Sequence, residues 1–210
     1  KKYFERGTLR KEEKKEEPEP SLPKPGKRFT PKESFQTQVL LGFVLPGLLS
    51  PERPTIEVLN SILSGMESRL FRTLRDERSL AYAVTSFLVM YPKASIFTFY
   101  IACSPEKTEQ AVAGFFEILE KISSEGLTQE EIERGKNRLL GRHRLSLQRN
   151  IAKAEDMALN EVLGLGWDYQ KKYEEEIKKV DAERLKDVIK KYLKKDRAYL
   201  LILGPNVKSN

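Results

Sequence analysis

Apolar side chains recur in a regular pattern only from Phe35 onward. Residues 36–45 (QTQVLLGFVL) alternate and then run apolar, which predicts a strand ended by Pro46-Gly47. Ser50-Pro51 reads as a helix start, with Ser as N-cap and Pro in the first turn; Pro54 fits only if the helix begins slightly later. Ile56, Leu59, Ile62 and Leu63 then share one helical face, and Gly65 stops it. Leu70, Phe71 and Leu74 predict a second, shorter helix over 68–78. Residues 82–90 and 95–103 are aromatic and branched and flank Pro92-Lys93, so they read as an antiparallel hairpin. Ser104-Pro105 opens a helix carrying Ala111, Val112, Phe115, Phe116, Leu119 and Ile122 on one face, with Gly126 at its end. Thr128-Gln-Glu-Glu131 is a capping box, and an amphipathic helix runs from it toward Gln148. Helices follow at about 151–163 and 182–194, with a less regular helical piece at 168–179 and a closing strand at 198–203.

The predicted order is β-α-α-β-β-α-α-α-α-α-β. Strands are few, and the two central ones form a hairpin. This is the signature of an α+β fold, a two-layer sandwich in which a largely antiparallel sheet is covered by helices. A doubly wound fold would need strands alternating with single crossover helices.

Residues 5–34 lack that pattern. The run RKEEKKEEPEPSLPKPGKRFTPKE is dominated by Glu, Lys and Pro, with too little apolar surface to offset its ordering entropy. It reads as a charged, Pro-rich interdomain linker with extended, semi-rigid backbone. The chain opens at Lys1 without Met, and Lys-Lys-Tyr-Phe at 1–4 echoes Lys-Lys-Tyr-Leu at 190–193. Residues 1–4 are therefore expected to be the tail of a preceding domain, 35–205 the folded domain, and 206–210 a tail.

Composition narrows the function classes. One cysteine among 210 residues cannot form an internal disulfide, and one histidine cannot supply a zinc site that needs two. No apolar stretch approaches the length of a membrane span, so no membrane association is expected. Of the net charge of +7, residues 1–34 supply a surplus of four, leaving +3 on the other 176 residues. That is too dilute for a nucleic-acid-binding face. Scarce cysteine fits a cytoplasmic protein, and a periplasmic one is compatible.

Most candidate chemistry reduces to ordinary structure. His143 lies in a helical run without partner ligands and reads as structural or solvated. Cys103, at a strand end, reads as core. Glu130/Glu131 and the glutamates at 174–176 have the spacing of charged helix faces. The glycines form no phosphate-cradling motif. Lys136, Arg138, Arg142, Arg144 and Arg149 read as a solvated basic face. The distinctive segment is 63–84, LSGMESRLFRTLRDERSLAYAV, where a charged helix runs straight into a strand. Arg75 near the helix end and Tyr82 at the strand start can meet across that bend. Two readings are open for them: capping, ion pairing and packing, or a pair of hydrogen-bond donors that holds a carbonyl or a developing oxyanion. Neither side chain is a nucleophile or general base at neutral pH, so the pair by itself hydrolyses nothing.

This segment, SRLFRTLRDERSLAYAV, closely resembles the C-terminal, zinc-less half-domain of the pitrilysin/insulinase family of zinc peptidases, nearest the processing-peptidase type. The stretches QVLLGFVLPG at 38–47 and LTQEEIERGKNRL at 127–139 resemble the family's opening strand and long-helix entry, and the likeness covers residues 28–205. The resemblance implies a half-domain that pairs with a zinc-bearing N-terminal half or partner subunit carrying His-x-x-Glu-His. That motif is missing here, so Zn2+ is expected on the partner and no metal or cofactor in this chain. Arg75 and Tyr82 match the arginine and tyrosine that the family's other half contributes to orient a peptide substrate and support its transition state. The isolated chain is expected to be inactive and to self-associate. The alternative implied by the same resemblance is a non-catalytic scaffold subunit of the same fold.

Overall fold

The computed structural model describes residues 24–205. Among them five strands form one sheet in the order β1-β5-β2-β4-β3: β1 (Gly26–Pro31), β2 (Thr37–Pro46), β3 (Ala81–Met90), β4 (Ala94–Cys103) and β5 (Tyr199–Gly204). β2, β3, β4 and β5 pair antiparallel; β1 pairs parallel with β5 at the edge. Helices α1 (Arg53–Leu63), α3 (Thr108–Ser124), α4 (Gln129–Ser146), α6 (Tyr169–Lys178) and α7 (Ala182–Tyr192) bury apolar residues in the core on one side of this sheet. A short helix α2 (Arg69–Phe71) and helix α5 (Asn150–Val162) complete the set. The expected two-layer α+β sandwich is the observed one.

Side-chain alternation decides which face carries the core. On β2, Val39, Leu41, Phe43 and Leu45 are buried, while every intervening residue is half-exposed. Phe97, Phe99 and Ile101 of β4 add to the same face, and Phe99 meets Phe43, Phe97 and Phe115 ring to ring at 5.6–6.3 Å. β2 is thus alternating along its whole length, not buried on both faces at its end.

The predicted linker is shortened. Residues 26–31 (GKRFTP) lie within 5–34, yet they form β1 against β5, with the Gly26 N–H on the Ala198 carbonyl at 3.1 Å and that of Lys32 on Gly204 at 3.0 Å. Phe29 is the one large apolar side chain and packs against the core, while most of the others are exposed, so no hydrophobic period announces the strand and backbone pairing makes it. Lys27, Arg28 and Pro31 are residues that protect an edge from further pairing. The expected tails at 1–4 and 206–210, and linker residues 5–23, lie outside the described residues.

Two local features anchor the helices. α1 begins at Arg53, which puts Pro54 in its first turn and resolves the difficulty it posed in sequence. α4 crosses α1 closely, because Gly135 leaves room for Ile62: a Cβ there would sit 2.4 Å from the Ile62 side chain. Ser61 Oγ donates to the Gly135 carbonyl at 2.8 Å across this crossing.

Candidate functional site

The predicted helix over 68–78 is only partly α-helical. Ser68 caps α2 by accepting the Phe71 N–H at 3.2 Å, and residues Arg72–Glu77 continue as a π-helical turn. The Arg78 N–H reaches the Thr73 carbonyl at 3.2 Å and that of Leu80 the Leu74 carbonyl at 2.8 Å. Ser79 then takes a positive φ of 49° to reverse the chain, its carbonyl accepting from Lys107 Nζ at 2.8 Å. A second irregularity follows at once. The β3–β4 register skips from Ala81↔Cys103 to Ala83↔Ala102, so Tyr82 is the extra residue of a β-bulge. Wide helical turns and bulges both re-aim side chains, and both recur at functional sites.

Together they bring the sequence-predicted pair into contact. The Arg75 guanidinium lies 4.7 Å from the centroid of the Tyr82 ring and 4.5 Å from that of Phe71. Tyr82 is 81% exposed, and Arg75 is half-exposed. Among the described residues Arg75 is in no ion pair, so ring stacking orients the guanidinium while its N–H donors stay available. The phenol is likewise accessible. The site therefore presents two donors on one exposed ridge and supplies neither a nucleophile nor a base.

Phe71 was read in the sequence only as an apolar helix position and not as a partner of Arg75, although their i, i+4 spacing was the signal for it. The ion pair that anchors the segment was also hidden. Arg69 grips Glu131 with two bonds, Nε–Oε1 at 2.7 Å and Nη2–Oε2 at 2.8 Å, across 62 residues of sequence. Glu131 also closes the predicted capping box with Thr128. Burial alone would raise its pKa, but the Arg69 guanidinium and the Thr128 N–H override this and hold the carboxyl below its ordinary value.

The other candidates fall into structural roles. Cys103 is 1% exposed, and burial pushes its thiol pKa up, which opposes reactivity. His143 packs edge-on against Tyr173 at 4.9 Å. Tyr173 donates to Glu57, Arg53 lies over the rings of Tyr169 and Tyr173, and the cluster ties α6 to α1. The basic run on α4 is not uniformly solvated. Lys136 is buried with Nζ 3.1 Å from the Lys178 carbonyl, and Arg144 pairs bidentately with Glu174 at 2.6 and 2.9 Å. Among the described residues no three His, Cys, Asp or Glu side chains form a group that could hold a metal ion. These residues do not fit the family's zinc centre, and none of the described helices is long and apolar enough to cross a membrane.

Among the described residues two apolar surfaces have no covering layer. The sheet face opposite the core exposes Phe87, Val89, Ile96 and Leu201, each by about two-fifths. Helix α5 buries only Asn160, whose side chain bonds Asp156 at 2.9 Å. Ile151, Ala158 and Val162 lie within about 40° of one another on the opposite side at 100° per residue, and Val162 is 85% exposed. The helix thus turns its polar side inward and an apolar stripe outward.

Comparison with known proteins agrees with the fold. The chain is 32% identical to an uncharacterized zinc protease of Bacillus subtilis over 81% of its own length and 42% of that protein's. It is 27% identical to an uncharacterized zinc protease of Mycobacterium tuberculosis strain H37Rv over 83% of its length and 40% of that protein's. It therefore spans about two-fifths of the curated relatives it matches. The fold superposes on a peptidase M16 inactive domain from Pseudomonas fluorescens with a TM-score of 0.81 at 21% identity, covering 91% of this chain and 46% of that one. The family model described as the peptidase M16 inactive domain matches residues 1–139, and the chain belongs to that family.

Proposed function

We propose that this chain is the zinc-less half of a zinc endopeptidase and supplies Arg75 and Tyr82 to an active site completed by a zinc-bearing half. The carrying observation is the Arg75–Tyr82 contact at the bulged end of β3, with Tyr82 exposed and Arg75 half-exposed. A guanidinium and a phenol at that separation can bind the carbonyl oxygens of an extended peptide. They also stabilise the negative charge that develops on the scissile carbonyl as it is attacked. The zinc-bearing half supplies the metal and the attacking water; this chain orients the substrate. Relatives about twice its length leave room for that second half. The uncovered sheet face and the outward stripe of α5 are the surfaces on which it sits, since a sheet with one bare apolar face needs a second layer.

The test reconstitutes the two halves. Purified chain alone should not cleave a quenched fluorescent peptide library, and addition of the zinc-bearing half should restore cleavage. In the complex, Tyr82→Phe should lower kcat by about 10²-fold, the usual cost of one oxyanion donor, with little change in KM. Full activity of the Tyr82→Phe complex would remove the assigned role. A stable complex that cleaves nothing would identify a scaffold subunit instead.

A further inference from the structure

A groove of about 700 Å3 runs between the C-terminal half of α3 and the C-terminal end of α7. Its floor is apolar: Leu119 and Leu193 are nearly buried, and Phe116 is half-buried beside them. Its rim is cationic. Lys190, Lys194 and Lys195 line it against a single carboxylate, Glu120. Lys195 Nζ sits 5.4 Å from the centroid of the Phe116 ring, and among the described residues none of the three lysines is in an ion pair.

Lysines at helix ends have an ordinary explanation, because a helix C-terminus carries about half a negative charge. Two helices end at this groove, so their dipoles and Glu120 together offset roughly two of the three lysine charges. About one positive charge remains uncompensated over an apolar floor. Lys194 and Lys195 also lie past the last residue of α7, outside the turn where the dipole acts most strongly.

We propose that this groove docks an acidic peptide segment that carries an apolar anchor side chain. The anchor enters between Phe116, Leu119 and Leu193, and carboxylates on either side of it meet the lysine rim. The groove is open along its length and edged by the hydroxyls of Ser123 and Ser124, which suits a peptide backbone better than a bare hydrocarbon chain. It lies on a different side of α3 from the turn that carries Arg75, which packs along Glu117, Ile118 and Lys121 with Arg78 paired to Glu117, and the two surfaces share no lining residue. Docking here is independent of the proposed cleavage and is read without it.

The probe is a fluorescein-labelled nonapeptide of alternating glutamate pairs and leucine, titrated with the full chain by fluorescence anisotropy in 50 mM salt. Saturable binding is expected below about 1 mM, weakening as salt is raised. Lys194→Gln and Lys195→Gln should each weaken it about two- to fivefold, and Phe116→Ala should weaken it further. Lys171→Gln, on exposed α6 surface, should leave it unchanged. The lysine variants are surface changes, so they report on binding even where Phe116→Ala melts early. Three results overturn the proposal: no saturation below about 1 mM, equal losses from Lys171→Gln and Lys194→Gln, or displacement of the peptide by an all-lysine peptide of the same length. Binding of sodium decanoate in place of the peptide would also overturn it, by making the groove a lipid site.

Discussion

Glu131→Gln keeps the side chain's shape and removes its charge. In the parent, the carboxylate accepts two bonds from Arg69 and one from the Thr128 N–H at 2.8 Å, with the Glu131 and Arg69 side chains 8% and 18% exposed. The amide can replace one acceptor only, and the guanidinium is left with Glu125 at 3.9 Å, itself 65% exposed. Removing one partner of a buried pair costs about 3–5 kcal/mol. The surviving amide bond and Glu125 bring the expectation to about 2–3 kcal/mol. For a domain of this size that lowers Tm by about 5–10 °C. Calorimetry on Glu131→Gln, Arg69→Met and the double variant measures it, and the two single losses should not add, with a coupling of about 1–2 kcal/mol. The pH dependence gives a second check. A carboxyl held below its ordinary value of about 4.5 contributes stability that is present above that pH and is lost as pH falls through the lowered value. Glu131→Gln should flatten this acid limb. A Tm within 1 °C of the parent, or strictly additive single variants, would refute the reasoning. Because Arg69 opens the helical turn that carries Arg75, the same variant should also weaken the reconstituted peptidase more than its residual folded fraction explains.

Three further outcomes are expected. Gly47→Ala should cost about 2 kcal/mol or more in chemical denaturation, because a Cβ there would lie 2.2 Å from the Tyr91 carbonyl and 2.4 Å from the Ala94 nitrogen, and backbone cannot step aside as a flexible side chain can. Val162→Glu should leave Tm of the chain within about 0.5 kcal/mol equivalent of the parent, yet weaken association with the second half in sedimentation velocity. Burial pushes the Tyr169 phenol up to about 12 and raises that of Tyr173 as well. The unfolded chain ionises these phenols near pH 10, so stability should fall as pH rises from about 10 toward 12. Absorbance at 295 nm should show the late ionisation, and Tyr169→Phe should shift the alkaline limb.

Elements with a strong hydrophobic period were legible: β2, the β3–β4 hairpin, α1, α3, α4 with its capping box, and α7 each carry their pattern locally. β1 was not, because backbone bonds to β5 hold this edge strand and its one large apolar residue, Phe29, makes no period. The π-turn at Arg72–Glu77 was read as ordinary helix, since Leu70, Phe71 and Leu74 suit either geometry. Arg75 and Tyr82 were legible as residues able to meet across the bend, but the β-bulge at Tyr82 was not, because it is a property of the β3–β4 register. Lys136 was misread as solvated surface because the Lys178 carbonyl that holds it comes from another helix.

The sequence by itself determined the fold class, the order of the elements from Phe35 onward, and the two donors of the candidate site. Those properties are written in local periodicity, capping and motif, which act over a few residues. Only the tertiary structure decided that β1 joins the sheet, that Arg69 and Glu131 clamp the helical turn, and that α5 faces outward. Each depends on groups far apart in the chain meeting at hydrogen-bonding or van der Waals distance, and no local pattern encodes such a meeting.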